Sequence, residues 1–134
     1  MLQYLQDDPE LLPALALAYI GDGYYEMAVR NYLLKQGLRR VDDLHKNAIE
    51  LVCAATKAQL AHRLQPGLNE VEQTVLRRGR NAKGMNIPKG ATVANYRLAT
   101  GMEALVGYWY LCADWERLDD CFAQLWQMRK ENLQ

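Results

Sequence analysis

Ala16-Leu17-Ala18-Tyr19-Ile20-Gly21-Asp22-Gly23-Tyr24-Tyr25 is a largely apolar run broken by one carboxylate between two glycines. Around it, apolar residues recur at helical spacing through Leu17, Ile20, Tyr24, Met27 and Tyr32 to Leu34, with Pro13 suited to the first turn and Gly37 to the stop. A second stretch is built alike: Ala99-Thr100-Gly101-Met102-Glu103-Ala104-Leu105-Val106-Gly107-Tyr108. Glycine inside a helix costs about 1 kcal/mol relative to alanine, so its repeated use needs a reason. Close approach is that reason, because small residues let two backbones, or a backbone and a ligand, come together. Gly21, Gly23, Gly101, Ala104 and Gly107 thus predict that the two helices cross here, with Asp22 and Glu103 facing each other.

The rest of the chain is also helical. Asp42 or Asp43 caps a second helix through Leu44, Ala48, Leu51, Ala55 and Leu60, which Pro66-Gly67 closes. Asn69 with Glu72 forms a capping box before Val71, Val75 and Leu76. Gly79 to Gly90, with three glycines and Pro88, reads as a long loop. A fourth helix follows from about Thr92 to Ala113, and a fifth from Glu116 to about Glu131. With no alternating strand pattern and no repeat, the fold class is all-α, a helical bundle forming one domain over 1–134.

Half of the 134 residues are apolar and 24% are charged, which excludes a disordered chain. The longest apolar stretch, Leu11 to Ile20, contains Pro13 and is too short to span a bilayer. No Lys or Arg precedes Arg30, whereas Asp7, Asp8 and Glu10 do, so no targeting segment and a cytoplasmic location are expected. Cys53, Cys112 and Cys121 lack metal spacing and are expected as buried, reduced thiols, and His45 and His62 lack partners for a zinc site. The aromatic residues Tyr108, Trp109, Tyr110, Trp115 and Trp126 fall at core spacing and are expected in packing rather than base stacking.

The zero net charge hides an asymmetry. From Gln73 to Met102 there are six basic residues, Arg77, Arg78, Arg80, Lys83, Lys89 and Arg97, and no acid. The remainder holds ten basic against sixteen acidic residues, so this block is a candidate footprint for a polyanion, or else a solvated segment facing acidic helices.

Asp22 and Glu103 stand in apolar surroundings, and a buried carboxylate needs a cation partner. Glu26 follows Asp22 by one turn on the same face. Carboxylates converging on one spot repel unless a hard cation lies between them, and oxygen-only ligation selects Mg²⁺ or Mn²⁺ over zinc. The alternative is structural: Asp22 paired with Arg97 or Arg30, and Glu103 with a helix N-terminus or an arginine.

Tyr19-Ile20-Gly21-Asp22-Gly23-Tyr24-Tyr25-Glu26 resembles the signature helix of the ribonuclease III catalytic domain, a Gly-Asp pair followed by Glu four residues on. Glu103-Ala104-Leu105-Val106-Gly107 resembles that family's second motif, Glu-Ala-Leu-x-Gly. Within the family, Arg77-Arg78-Gly79-Arg80-Asn81-Ala82-Lys83 and Tyr96-Arg97-Leu98-Ala99-Thr100-Gly101 resemble the mini-ribonuclease III branch, which has the catalytic domain without the double-stranded-RNA-binding domain. The resemblance runs from about Leu11 to Met128. It implies that Asp22 and Glu103 are the metal-binding catalytic carboxylates. Longer members of the family carry two further acids where this chain has Ala18 and Thr100, so water and RNA phosphate oxygens are expected to complete the shell.

The resemblance further implies a homodimer that cuts both strands of double-stranded RNA, leaving 5′-phosphate and 3′-hydroxyl ends, with no histidine or lysine base near either motif. Arg77, Arg78, Arg80 and Lys83 are then expected on phosphates, with Lys89 extending the track and Asn81 on a 2′-hydroxyl. Arg97 is the candidate to hold an active-site carboxylate. The branch is associated with maturation of the large-subunit ribosomal RNA precursor, which leaves room for a ribosomal-protein helper among the partners. A catalytically silent RNA-binding scaffold of the same fold, or a helical interaction module, would be expected to lose these acids or the acid-free block.

Overall fold

The structure, a computed structural model, describes residues 8–83 and 86–132. Six α-helices follow in order: α1 Ala14–Lys35, α2 Val41–Val52, α3 Ala54–Leu64, α4 Glu70–Arg80, α5 Val93–Leu111 and α6 Trp115–Asn132. Short 3₁₀ turns lie at Pro9–Leu11 and Gln65–Gly67, and no strand occurs among the described residues. None of these helices is long and apolar enough to cross a membrane.

The bundle is organised around α5. Leu98, Met102, Ala104, Leu105, Val106 and Trp109 are all buried, so α5 is enclosed on nearly every side rather than amphipathic. α1, α3 and α4 each pack against it, and α6 closes the bundle with Leu118, Cys121, Phe122 and Leu125. α1 ends as expected: Gly37 takes a left-handed φ of 95°, and its N–H bonds the Leu34 carbonyl.

Three helix boundaries depart from the sequence expectation. The single second helix is in fact α2 and α3, broken at Cys53, whose backbone is extended (φ −67°, ψ 158°). The Thr56 hydroxyl donates to the Glu50 carbonyl at 2.6 Å, a local side-chain bond that competes with the helical ladder. α2 also starts at Val41 with Arg40 as its cap, leaving Asp42 and Asp43 inside the first turn. The expected loop at Gly79 starts later, because α4 continues to Arg80; Gly84 and Met85 lie outside the described residues.

The capping box at the start of α4 is present, and it does more than end a helix. Glu72 accepts the Asn69 N–H at 2.9 Å, the Trp109 indole N–H at 2.7 Å and two Arg117 donors at 2.7 and 2.8 Å, tying α4 to α5 and α6. Burial alone would raise the Glu72 carboxyl, but the hydrogen bonds from Arg117, Asn69 and Trp109 outweigh it and hold it below its ordinary value. Aromatic packing fills the α1–α6 seam. Tyr32 stacks on Trp126 at 3.9 Å, and Tyr24 lies among Tyr110, Trp115 and Phe122. Of the three cysteines only Cys121 is buried; Cys53 at the α2–α3 break and Cys112 at the end of α5 are exposed.

Candidate active site

The α1–α5 crossing is a contact between backbones. A Cβ on Gly21 would fall on the Glu103 carbonyl oxygen and lie 2.7 Å from the Gly107 nitrogen. One on Gly107 would fall on the Leu17 carbonyl oxygen. The other small residues divide differently from the expectation. Gly101 and Ala104 serve a second crossing, where a Cβ on Gly79 of α4 would lie 2.7 Å from the Gly101 Cα and 2.9 Å from the Ala104 Cβ. Gly23 has nothing within 4 Å of its missing side chain.

Close approach at Gly21 delivers Asp22 beside Glu103, as the sequence predicts, but their shared partner is a residue from a third helix. Lys57 of α3 donates to Asp22 Oδ1 at 3.3 Å and to Glu103 Oε2 at 2.9 Å. Its ammonium also lies 4.8 Å from the centroid of the Tyr25 ring, and the Tyr25 hydroxyl donates to the Leu51 carbonyl at 2.6 Å. The carboxylates differ in setting. The Asp22 side chain is 54% exposed, against the buried position expected; that of Glu103 is 18% exposed. Burial pushes the Glu103 carboxyl up to about 7, with Asp22 adding to the rise and Lys57 opposing it.

Lys57 corrects the expectation that no lysine lies near either motif, and it replaces the arginine partners considered for these acids. Arg30 instead pairs with Glu26 at 3.7 Å, which places Glu26 in an exposed i,i+4 pair outside the cluster. Arg97 is exposed on α5 and makes no ion pair among the described residues. Thr100 is buried, and its hydroxyl donates to its own helix at the Tyr96 carbonyl, 3.1 Å away. The signal for Lys57 was present in Cys53-Ala54-Ala55-Thr56-Lys57-Ala58: a lone charge in a run of small residues, the same anomaly that singled out Asp22.

Whether a divalent cation fits is tested by what already lies between the carboxylates. One positive charge sits within hydrogen-bond reach of both, and the donors are hard carboxylate oxygens, the type that Mg²⁺ and Mn²⁺ prefer. No group of three or more His, Cys, Asp and Glu side chains that could hold a metal is found among the described residues, so the protein's share of such a shell would be these two acids. Mg²⁺ is commonly held by one or two carboxylates together with water and phosphate oxygens. The residues fit the ion.

The basic block is split in its roles. Arg77, Arg80, Asn81, Lys83 and Lys89 are exposed. Arg77 and Arg80 line one groove with Gln65, Pro66, Gln73 and Leu76. The end of α4 that carries them is anchored at Gly101, two residues before Glu103. Arg78 is turned the other way. Its guanidinium donates to the Glu10 and Leu12 carbonyls at 2.7 and 2.6 Å, fastening the segment ahead of α1 to α4, so it leaves the expected phosphate track.

The family model for the ribonuclease III domain matches residues 15–114. A Mini-ribonuclease 3 of Symbiobacterium thermophilum is 52% identical over 113 residues, covering 84% of this chain and 87% of that one. Mini-ribonuclease 3 of Desulfitobacterium hafniense is 50% identical over 84% of this chain and 71% of its own, and that of Brevibacillus brevis 42% over 90% of each. A crystal structure of a protein from Fusobacterium nucleatum superimposes with a TM-score of 0.84 at 26% identity, covering 92% of this chain and 99% of that one. The matched span contains both helices of the crossing and the lysine between them. This chain belongs to the ribonuclease III family, in its mini-ribonuclease 3 branch, and is an endoribonuclease of that type.

Proposed function

We propose that this protein is a Mg²⁺-dependent endoribonuclease that cleaves double-stranded RNA as a homodimer, with the large-subunit ribosomal RNA precursor as its substrate. The observation that carries this reading is the convergence of Asp22 and Glu103 on a single cation at 3.3 and 2.9 Å, at a crossing where glycine is required. Asp22 and Glu103 would hold the Mg²⁺ ion, which when bound would lower the pKa of a water and stabilise charge on the scissile phosphate. Asp22 of α1, more exposed, meets the solvent side, and Glu103 of α5, more enclosed, holds the inner side. Arg77, Arg80, Lys83 and Lys89 neutralise phosphates along the duplex, and Asn81 reaches a 2′-hydroxyl, so recognition is by shape and binding weakens steeply with salt.

The homodimer is supported by the outer face of α1. Leu15, Tyr19 and Met27 are 41, 84 and 66% exposed and recur at four-residue steps through Gly23, an apolar stripe that a soluble single copy would leave in water. A second copy packed on this stripe places two sites on one duplex.

Cleavage of an end-labelled RNA duplex in Mg²⁺ tests the reading, with Asp22→Asn and Glu103→Gln as variants. Cuts by wild type alone, leaving 5′-phosphate and 3′-hydroxyl ends while both variants remain folded, are the expected result. Binding without cleavage in both Mg²⁺ and Mn²⁺ would overturn it in favour of a silent RNA-binding scaffold.

A further inference from the structure

We propose that Lys57 is a positioning residue: its buried ammonium holds Asp22 and Glu103 together in the metal-free enzyme and competes with a divalent cation for them. The proposal rests on the reading of those two acids as metal ligands.

Three features make Lys57 more than an incidental ion-pair partner. First, it is 5% exposed, and a charge so enclosed must be answered locally. Its ammonium bonds one oxygen of Asp22 at 3.3 Å and one of Glu103 at 2.9 Å. Second, it is held in place. The ammonium lies 4.8 Å from the Tyr25 ring centroid, and that ring is pinned by its own hydroxyl bond to the Leu51 carbonyl. Third, its root is rigid. Ala58 and Ala61 of α3 are buried, and α3 packs on α5, so the backbone that carries Lys57 is fixed to the same helix as Glu103.

The electrostatic consequence follows directly. With both acids ionised, two carboxylates and one ammonium leave a single net negative charge, where the acids alone would leave two. An arriving divalent cation therefore meets a half-neutralised pair and a like charge a few ångströms away. The same ammonium keeps the carboxylates from repelling one another before the cation arrives. Lys57 thus exchanges metal affinity for a preformed site, and the free enzyme holds its metal weakly until an RNA phosphate adds negative charge.

Isothermal titration of Mn²⁺ into the full chain tests this, comparing wild type, Lys57→Gln, Lys57→Met and, as a control for the site, Asp22→Asn. Both Lys57 variants should bind Mn²⁺ at least tenfold more tightly than wild type and show a larger Mn²⁺-induced rise in melting temperature. Asp22→Asn should lose the binding. Should a Lys57 variant fail to fold without metal, restoration of a cooperative melt by Mn²⁺ supports the proposal, and failure to restore it in both variants overturns it. Affinity equal to or weaker than wild type overturns the role of Lys57 alone. Absence of Mn²⁺ binding by every chain overturns the metal-dependent reading itself.

Discussion

Replacing Gly21 with alanine asks whether the α1–α5 crossing is set by backbone contact. Alanine gains about 1 kcal/mol of helix propensity over glycine. Its methyl, however, falls on the Glu103 carbonyl oxygen and 2.7 Å from the Gly107 nitrogen, atoms that cannot rotate away. α1 and α5 must part by roughly 1 Å, and overpacking against rigid neighbours costs about 3 kcal/mol, the upper end of its usual range. The net loss is about 2 kcal/mol, a fall in melting temperature of roughly 6–10 °C for a chain of this size. Gly67→Ala is the matched control. Nothing lies within 4 Å of its missing Cβ and its φ is not left-handed, so the same methyl stabilises the protein. The gain is about 0.4–1 kcal/mol, through a less flexible unfolded chain. Urea unfolding followed by circular dichroism, at one protein concentration, measures both. Because the parting also moves Asp22 away from Glu103, duplex cleavage by Gly21→Ala should fall by about 10²-fold. A Gly21→Ala protein as stable and active as wild type would refute the backbone-contact account.

Three further outcomes follow from the geometry. The Glu103 carboxyl is raised from its usual 4.5 to about 7 in the folded state, so metal-free protein binds that proton more tightly when folded and loses stability as pH rises between these values. The loss amounts to about 3 kcal/mol at most, and Glu103→Gln should flatten it in unfolding curves recorded with a chelator; an unchanged slope would count against the buried setting of Glu103. Glu72 behaves oppositely. Its carboxyl is lowered, so its contribution is complete above its usual value near 4.5 and disappears as pH falls through the lower native value. Glu72→Gln should cost about 3 kcal/mol at neutral pH and blunt acid unfolding, measured by thermal melts from neutral to acid pH. Arg78→Ala should destabilise by about 1–2 kcal/mol with an unchanged salt dependence of RNA binding, whereas Arg77→Ala and Arg80→Ala should each reduce the salt slope by about 2, one phosphate contact being lost in each subunit of the homodimer. Equal salt slopes for all three would argue against the split between fastening and phosphate contact.

The all-α class, the capping box at Asn69 and Glu72, the stop at Gly37 and the two anomalous acids were legible in the sequence, because each depends on residues within one or two turns of one another. The break at Cys53 was not, since Leu51, Ala55 and Leu60 keep helical spacing across it and the Thr56 hydroxyl that diverts the Glu50 carbonyl leaves no periodic trace. Nor did the glycines announce their partners. Gly21 and Gly107 meet each other's helices, Gly101 meets α4, and Gly23 meets nothing, a division fixed by two crossings rather than by composition. Arg78 and Arg80 are two residues apart in one basic run, yet the turn of α4 aims one at protein carbonyls and leaves the other in solvent. Asp22 and Glu103 could be named as partners from their settings alone, but the charge between them comes from α3, and only the packing of α1, α3 and α5 brings Lys57 there. Local spacing determines which helices form and which residues are out of place in them; where those residues meet depends on which faces the buried helix α5 presents to its neighbours.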